Sequence, residues 1–158
     1  MLEWYNKKDI GVFFNNVPNI KIRYSGPNTP EVEKDVIKKF PFINEDELEV
    51  EVFYHKKNKS YEFIIPKGYC FDGASIPRIF WRIIGPNTDN TFLVAAMVHD
   101  YLCENHSVID NDRYLSTLIF NDLLEVGGVC KIKRWFMKHS VDNYQKFCGW
   151  KKGDRKSV

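Results

Sequence analysis

No apolar run in the chain approaches the ~20 residues of a membrane span. The opening Met1-Leu2-Glu3-Trp4-Tyr5 lacks a basic flank followed by an apolar core, so no secretory signal is expected. Four cysteines stand at 70, 103, 130 and 148, and no two are spaced as Cys-x-x-Cys. That spacing argues against a zinc ribbon and leaves free thiols in a reducing compartment as the plain expectation. Internal repeats and low-complexity tracts are missing, as are a Gly-x-Ser-x-Gly elbow and any dedicated nucleic-acid motif.

What is present suits one packed domain. The 158 residues are 44% hydrophobic and 15% aromatic, enough for a single core. The domain is expected over 1–150, with a basic tail over 151–158. The net charge of +2 hides an asymmetry, because nine Lys or Arg stand against two Asp from Lys131 onward. A basic end of this kind meets anionic lipid, cell wall or nucleic acid, or serves as a solvated helix face and frayed tail.

Gly11–Phe14 and Ile20–Tyr24 have the look of short strands, the second alternating apolar and charged. Ser25–Asn28 is a turn. Pro30–Phe40 predicts a short helix with Val32, Val36 and Ile37 inward, stopped by Pro41. Leu48–Tyr54 and Tyr61–Ile65 alternate around the polar turn 56–60, which predicts a β-hairpin. The loop Gly68–Pro77 follows, with helical turns expected over Arg78–Ile84 and a break at Gly85-Pro86-Asn87.

Three helices are expected after that. The first runs from Thr88 or Asp89 to about Asn105, with Phe92, Ala95, Ala96, His99 and Cys103 on one face. The second spans Ile109–Val126, capped by Asp110 or Asp112 and stopped by Gly127-Gly128, with Leu115, Leu118, Ile119, Leu123 and Val126 inward. The third spans Lys131–Cys148, with Ile132, Trp135, Phe136 and His139 inward and the cations outward.

Two stretches carry the chemistry: Cys70-Phe71-Asp72-Gly73-Ala74-Ser75-Ile76-Pro77 and Ala95-Ala96-Met97-Val98-His99-Asp100. His99 lies on an apolar stripe, and Asp100 sits about 100° round at its edge. The two are not a mutual pair, yet they can serve one site from adjacent directions. With Asp72 they form a set adequate for one divalent ion, or for a His general base beside an ion. The plainer reading of His99 is a core histidine with a satisfied ring. Ser75 is a weaker candidate, since a Ser in a turn usually caps backbone. Cys70 with His99 would form a thiol–imidazole pair, although no local pattern supports it. Cys103, one turn past His99, reads as packing.

Phe71-Asp72-Gly73-Ala74-Ser75-Ile76-Pro77, followed by Ala95–Asp100 and Tyr101-Leu102, resembles the paired signature of the family called domain of unknown function thirteen fifty-three. The resemblance covers roughly residues 50–130. It implies a phage, prophage or bacterial context and no established activity. That family usually has Tyr at the place of Cys103, and an Ala-Asp pair where Ser116 and Thr117 precede Phe120. The pattern Ala-Ala-x-x-His-Asp is also similar to the catalytic helix of secretory and viral-capsid phospholipases A2. By that likeness His99 would be the base and Asp100 a calcium ligand, while the orienting Asp would be replaced by Thr117.

The expected fold class is α+β: an antiparallel sheet with a hairpin in the N-terminal half, and a three-helix C-terminal half packed on it. The leading functional expectation is a phage-type, metal-assisted hydrolase, or a degenerate relative, acting on host envelope lipid or peptidoglycan. His99 and Asp72 would be catalytic and Asp72 and Asp100 would bind the divalent ion. The alternative is a non-catalytic virion, tail or assembly protein that uses the motif for folding. Expected partners are other phage proteins and an anionic envelope surface met through the basic C-terminal end. The expected location is the host cytoplasm or the virion.

Overall fold

The computed structural model describes residues 9–71 and 90–144. Strands β1 (Ile10–Phe14), β4 (Leu48–Tyr54) and β5 (Lys59–Ile65) form one antiparallel sheet in the order β1-β4-β5. The hairpin β4–β5 follows the alternation in the sequence. Leu48, Val50, Val52 and Tyr54 are buried while Glu49 and Glu51 are exposed, and Tyr61, Phe63 and Ile65 are buried while Glu62 and Ile64 are not. A pleated strand turns successive side chains to opposite faces, so this pattern puts one face on the core. The register pairs Val12 with Val52 and Val52 with Tyr61. A 3-10 turn at His55–Lys57 and Asn58 in the left-handed region (φ 49°) close the hairpin.

A second sheet was not foreseen. Strands β2 (Ile20–Ile22), β3 (Phe42–Asn44) and β6 (Cys70–Phe71) pair antiparallel in the order β2-β3-β6. Strand β2 falls within the expected strand Ile20–Tyr24, whereas β3 and β6, of three and two residues, are too short to show an alternation. Asn44 holds the two sheets together. Its buried Nδ2 lies 3.3 Å from the Ile65 carbonyl and 3.1 Å from that of Pro66. Gly68 takes φ 87° in the turn between β5 and β6, and its N–H donates to the Asn44 carbonyl.

Helix α1 (Glu31–Lys39) buries Ile37, but Val32 and Val36 are exposed, contrary to expectation. A helix of only nine residues meets the rest of the chain along a narrow line, so one inward position suffices. The C-terminal half supplies α2 (Asn90–Glu104), a 3-10 turn (His106–Ile109), α3 (Arg113–Val126) and α4 (Lys131–Tyr144). Helix α3 begins four residues later than expected. Asp110 and Asn111 take left-handed φ angles of 56° and 58°, which interrupts the helix, and Asp112 caps it by accepting from the Leu115 N–H. Leu115, Leu118, Ile119 and Leu123 are inward as expected, whereas Val126 at the helix end is exposed.

Helix α4 faces the other way from its reading in the sequence. Its buried residues are Met137 and Val141, while Ile132, Trp135, Phe136 and His139 are exposed. Two ion pairs accompany this rotation. Arg134 reaches Glu125 at 3.0 Å and Asp142 reaches Arg113 at 2.6 Å, both anchoring α4 to α3. The expected turns over Arg78–Ile84 and the end of the third helix at Cys148 lie outside the described residues.

Candidate functional site

Helix α2 is the centre of the site because it is buried almost all round. Every residue from Val94 to Asp100 is buried, as is Leu102. A helix apolar on all sides belongs in a core, and this one packs on α3 and reaches β2, with Tyr101 stacked on Phe63 of β5. His99 is 1% exposed and Asp100 8% exposed within that run. An imidazole and a carboxylate are costly to bury unless they are paired. Both have interaction partners.

The His99 ring meets Phe120 of α3 edge-on, with centroids 5.3 Å apart. The Cys103 sulfur lies 3.7 Å from His99 Nδ1, one helical turn on. The thiol beside the imidazole is therefore Cys103. Cys70 sits on β6, where Arg23 Nη1 donates to its sulfur at 3.6 Å and its S–H donates to the Gly68 carbonyl at 3.4 Å. Asp72 and Ser75 lie outside the described residues. The last described residue before them, Phe71, is buried and paired with Phe42.

Tyr69 and Glu104 were missed in the sequence. The Tyr69 hydroxyl donates to Glu104 Oε2 at 3.1 Å, and its ring meets Tyr101 edge-on at 5.4 Å and stacks near Phe71 at 6.2 Å. Burial pushes the Tyr69 hydroxyl well above the usual tyrosine range, and the negative charges of Glu104 and Asp100 push it further. Asp100 and Glu104 stand one turn apart on the same helix, a spacing legible in the sequence. Tyr69 shows no such signal, since only the fold brings it to them. These contacts fasten β6, the strand that leads into residue 72, against the C-terminal half of α2.

Asp122 of α3 was also missed. It is 8% exposed and has interaction partners. Its place seven residues after Leu115 and three after Ile119 marks it as inward, which the residue type obscured. Thr117 turns toward α4, its hydroxyl 3.3 Å from the Arg113 carbonyl and 3.4 Å from Asp142 Oδ1. Ser116 donates to the same Arg113 carbonyl at 2.7 Å.

Among the described residues no group of three or more His, Cys, Asp or Glu is arranged to hold a metal ion. His99 and Asp100 supply two donors on different faces of α2, and a full ligand set would need a residue from elsewhere. Chemically, the site so far offers a buried imidazole, a buried carboxylate and a nearby thiol in a low-dielectric layer.

An α+β protein with a buried His-Asp step on its central helix is the class that fold and site define. Residues 47–141, more than half of the chain, match the family described as "Protein of unknown function (DUF1353)". The chain belongs to that family. It is also similar to an uncharacterized protein, y4jT, of Sinorhizobium fredii (strain NBRC 101917 / NGR234), 44% identical over 50 residues. That match covers 32% of this chain and 15% of the relative. No solved structure matches the chain.

Proposed function

We propose that the protein is a phage- or prophage-type hydrolase, metal-assisted in its complete form, acting on host envelope lipid or peptidoglycan. The observation that carries this reading is the burial of His99 and Asp100 inside an otherwise apolar helix. A core helix gains nothing from these residue types that Leu would not supply more cheaply, so a chemical task is the stronger reason for them. His99 takes a proton from water, whose hydroxyl attacks an ester, amide or phosphoryl centre, and the imidazolium returns the proton to the leaving group as its bond breaks. Phe120 meets the ring edge-on. Asp100 and, by its place in the sequence, Asp72 are the carboxylates for a divalent ion. When bound, that ion would polarise the bond under attack.

By the likeness to the phospholipases, Thr117 replaces the carboxylate that would orient the His. Loss of such a group typically weakens metal affinity about 10–100-fold. Calorimetry with calcium, magnesium and zinc is expected to show weak binding that Asp100→Asn removes. The same variant is expected to melt no lower than the parent without metal, since it relieves repulsion with Glu104 one helical turn on and, by its place in the sequence, with Asp72. A clear loss of metal-free stability in Asp100→Asn would abandon the hydrolase.

A second reading has its own support. Thr117, Ser116, Arg113 and Asp142 form a hydrogen-bonded tie between α3 and α4 at the place of the expected orienting pair. A non-catalytic virion, tail or assembly protein would keep such a tie for folding alone.

A further inference from the structure

The outer face of α4 carries large apolar side chains that the fold leaves exposed. Ile132, Trp135, Phe136 and His139 recur at i, i+3, i+4 and i+7 and so form one stripe. The three apolar members are 71%, 55% and 50% exposed. The stripe lies opposite Met137 and Val141, which seat the helix on α3. The Trp135 ring meets Phe136 edge-on at 5.0 Å and lies 4.3 Å from His139, so the aromatic groups form one cluster.

Cations border this stripe on both sides. By helical rotation Lys131 and Lys138 flank one edge and Lys133 the other. The only acidic residue of α4, Asp142, is engaged by Arg113 at 2.6 Å. The sequence after the helix continues the theme, with Phe147 and Trp150 among Lys146, Lys151, Lys152, Arg155 and Lys156, against Asp154 alone.

We infer that α4 docks the protein on an anionic lipid surface, with Ile132, Trp135 and Phe136 inserted at the headgroup boundary. An interfacial helix joins an apolar stripe rich in Trp and Phe to flanking Lys. Each Lys near an anionic leaflet adds attraction, which lasts over about a Debye length. A second copy of this chain fits the stripe less well. A two-fold contact through the same face would bring the Lys131, Lys133 and Lys138 sets of both copies together. The inference moves the contact from the charged tail to a folded helix face, and it holds whether or not His99 is catalytic.

The test is co-sedimentation of the full chain with phosphatidylglycerol–phosphatidylcholine vesicles and with phosphatidylcholine vesicles. Binding is expected to the first and to be much weaker to the second. The double variant Trp135→Ala with Phe136→Ala is expected to bind the anionic vesicles at least about tenfold more weakly, from the apolar surface removed. Its melting temperature should stay near that of the parent, because both side chains are exposed. Should that variant fail to fold, Ile132→Ser on the same stripe carries the test with a smaller loss. No binding to anionic vesicles would overturn the inference. So would undiminished binding by the double variant, which would assign the attraction to the charges beyond Tyr144. A concentration-dependent dimer abolished by the same substitutions would overturn it in favour of a second copy.

Discussion

Helices α2 and α4 both carry large apolar side chains at helical spacing, and the fold uses them in opposite ways. Helix α2 buries every residue from Val94 to Asp100, including two that are ionisable. Helix α4 buries Met137 and Val141 and leaves Ile132, Trp135 and Phe136 in solvent. The difference is one of position: α2 packs on α3 and reaches the sheets, while α4 packs mainly on α3. An apolar stripe shows that a helix has a partner-facing side. It does not say whether that partner is the protein's own core.

The largest expected effect separates these two helices directly. Met97→Ala, at a fully buried position of α2, should cost about 2–5 kcal/mol through lost burial and a residual cavity. Trp135→Ala on α4 removes a larger side chain and should change stability by less than about 0.5 kcal/mol, as exposed substitutions do. Urea unfolding of both variants checks the pair. A Trp135→Ala loss as large as that of Met97→Ala would mean that the α4 stripe is part of the core.

The same contrast sets how much was legible in the sequence. The hairpin β4–β5 could be read because seven-residue strands alternate long enough to show a period. The buried face of α3 could be read for the same reason. Strands β3 and β6 could not, since a strand of two or three residues has no period and is held by its neighbours. Helix α4 contains two stripes, and the more apolar one predicts the inward face. The chain instead buries Met137 and Val141, a choice that depends on where the helix docks on α3 and leaves no periodic trace. At the site, His99 and Asp100 stood out as polar residues in an apolar run. Tyr69 did not, because its meeting with Glu104 depends on a sheet that no local pattern announces.

A smaller effect tests how β6 is held against α2. Tyr69→Phe keeps the ring contacts with Tyr101 and Phe71 but removes the hydroxyl that Glu104 accepts. The expected cost is about 0.5–1.5 kcal/mol, that of one hydrogen bond, since Glu104 keeps a further partner. A pH dependence accompanies it. The folded protein holds the Tyr69 hydroxyl protonated well above the usual range, while the unfolded chain ionises it near pH 10. The raised value means that stability is fully present below about pH 10 and falls as pH rises beyond it. Tyr69→Phe should flatten that fall in a pH series of denaturant melts. An unchanged alkaline slope would show that Tyr69 is not the group responsible.

The smallest expected effect concerns the tie that holds α4 in place. Arg113 and Asp142 meet at 2.6 Å, but both side chains are about one-third exposed. Solvent screens such a pair, so Asp142→Ala should cost only about 0.2–1 kcal/mol overall, and less at high salt. The loss should nevertheless be local. Asp142 also meets the Thr117 hydroxyl, so its removal loosens two contacts between α3 and α4. Met137 and Val141 then carry the docking with Arg134 and Glu125. Amide exchange in α4 should speed up while exchange in the middle of α2 stays as slow as in the parent, since low-stability elements open without the core. Equal acceleration in both helices would mean that α4 unfolds only with the whole domain. The contrast between a buried helix and a docked one would then be a difference in exposure without a difference in cooperativity.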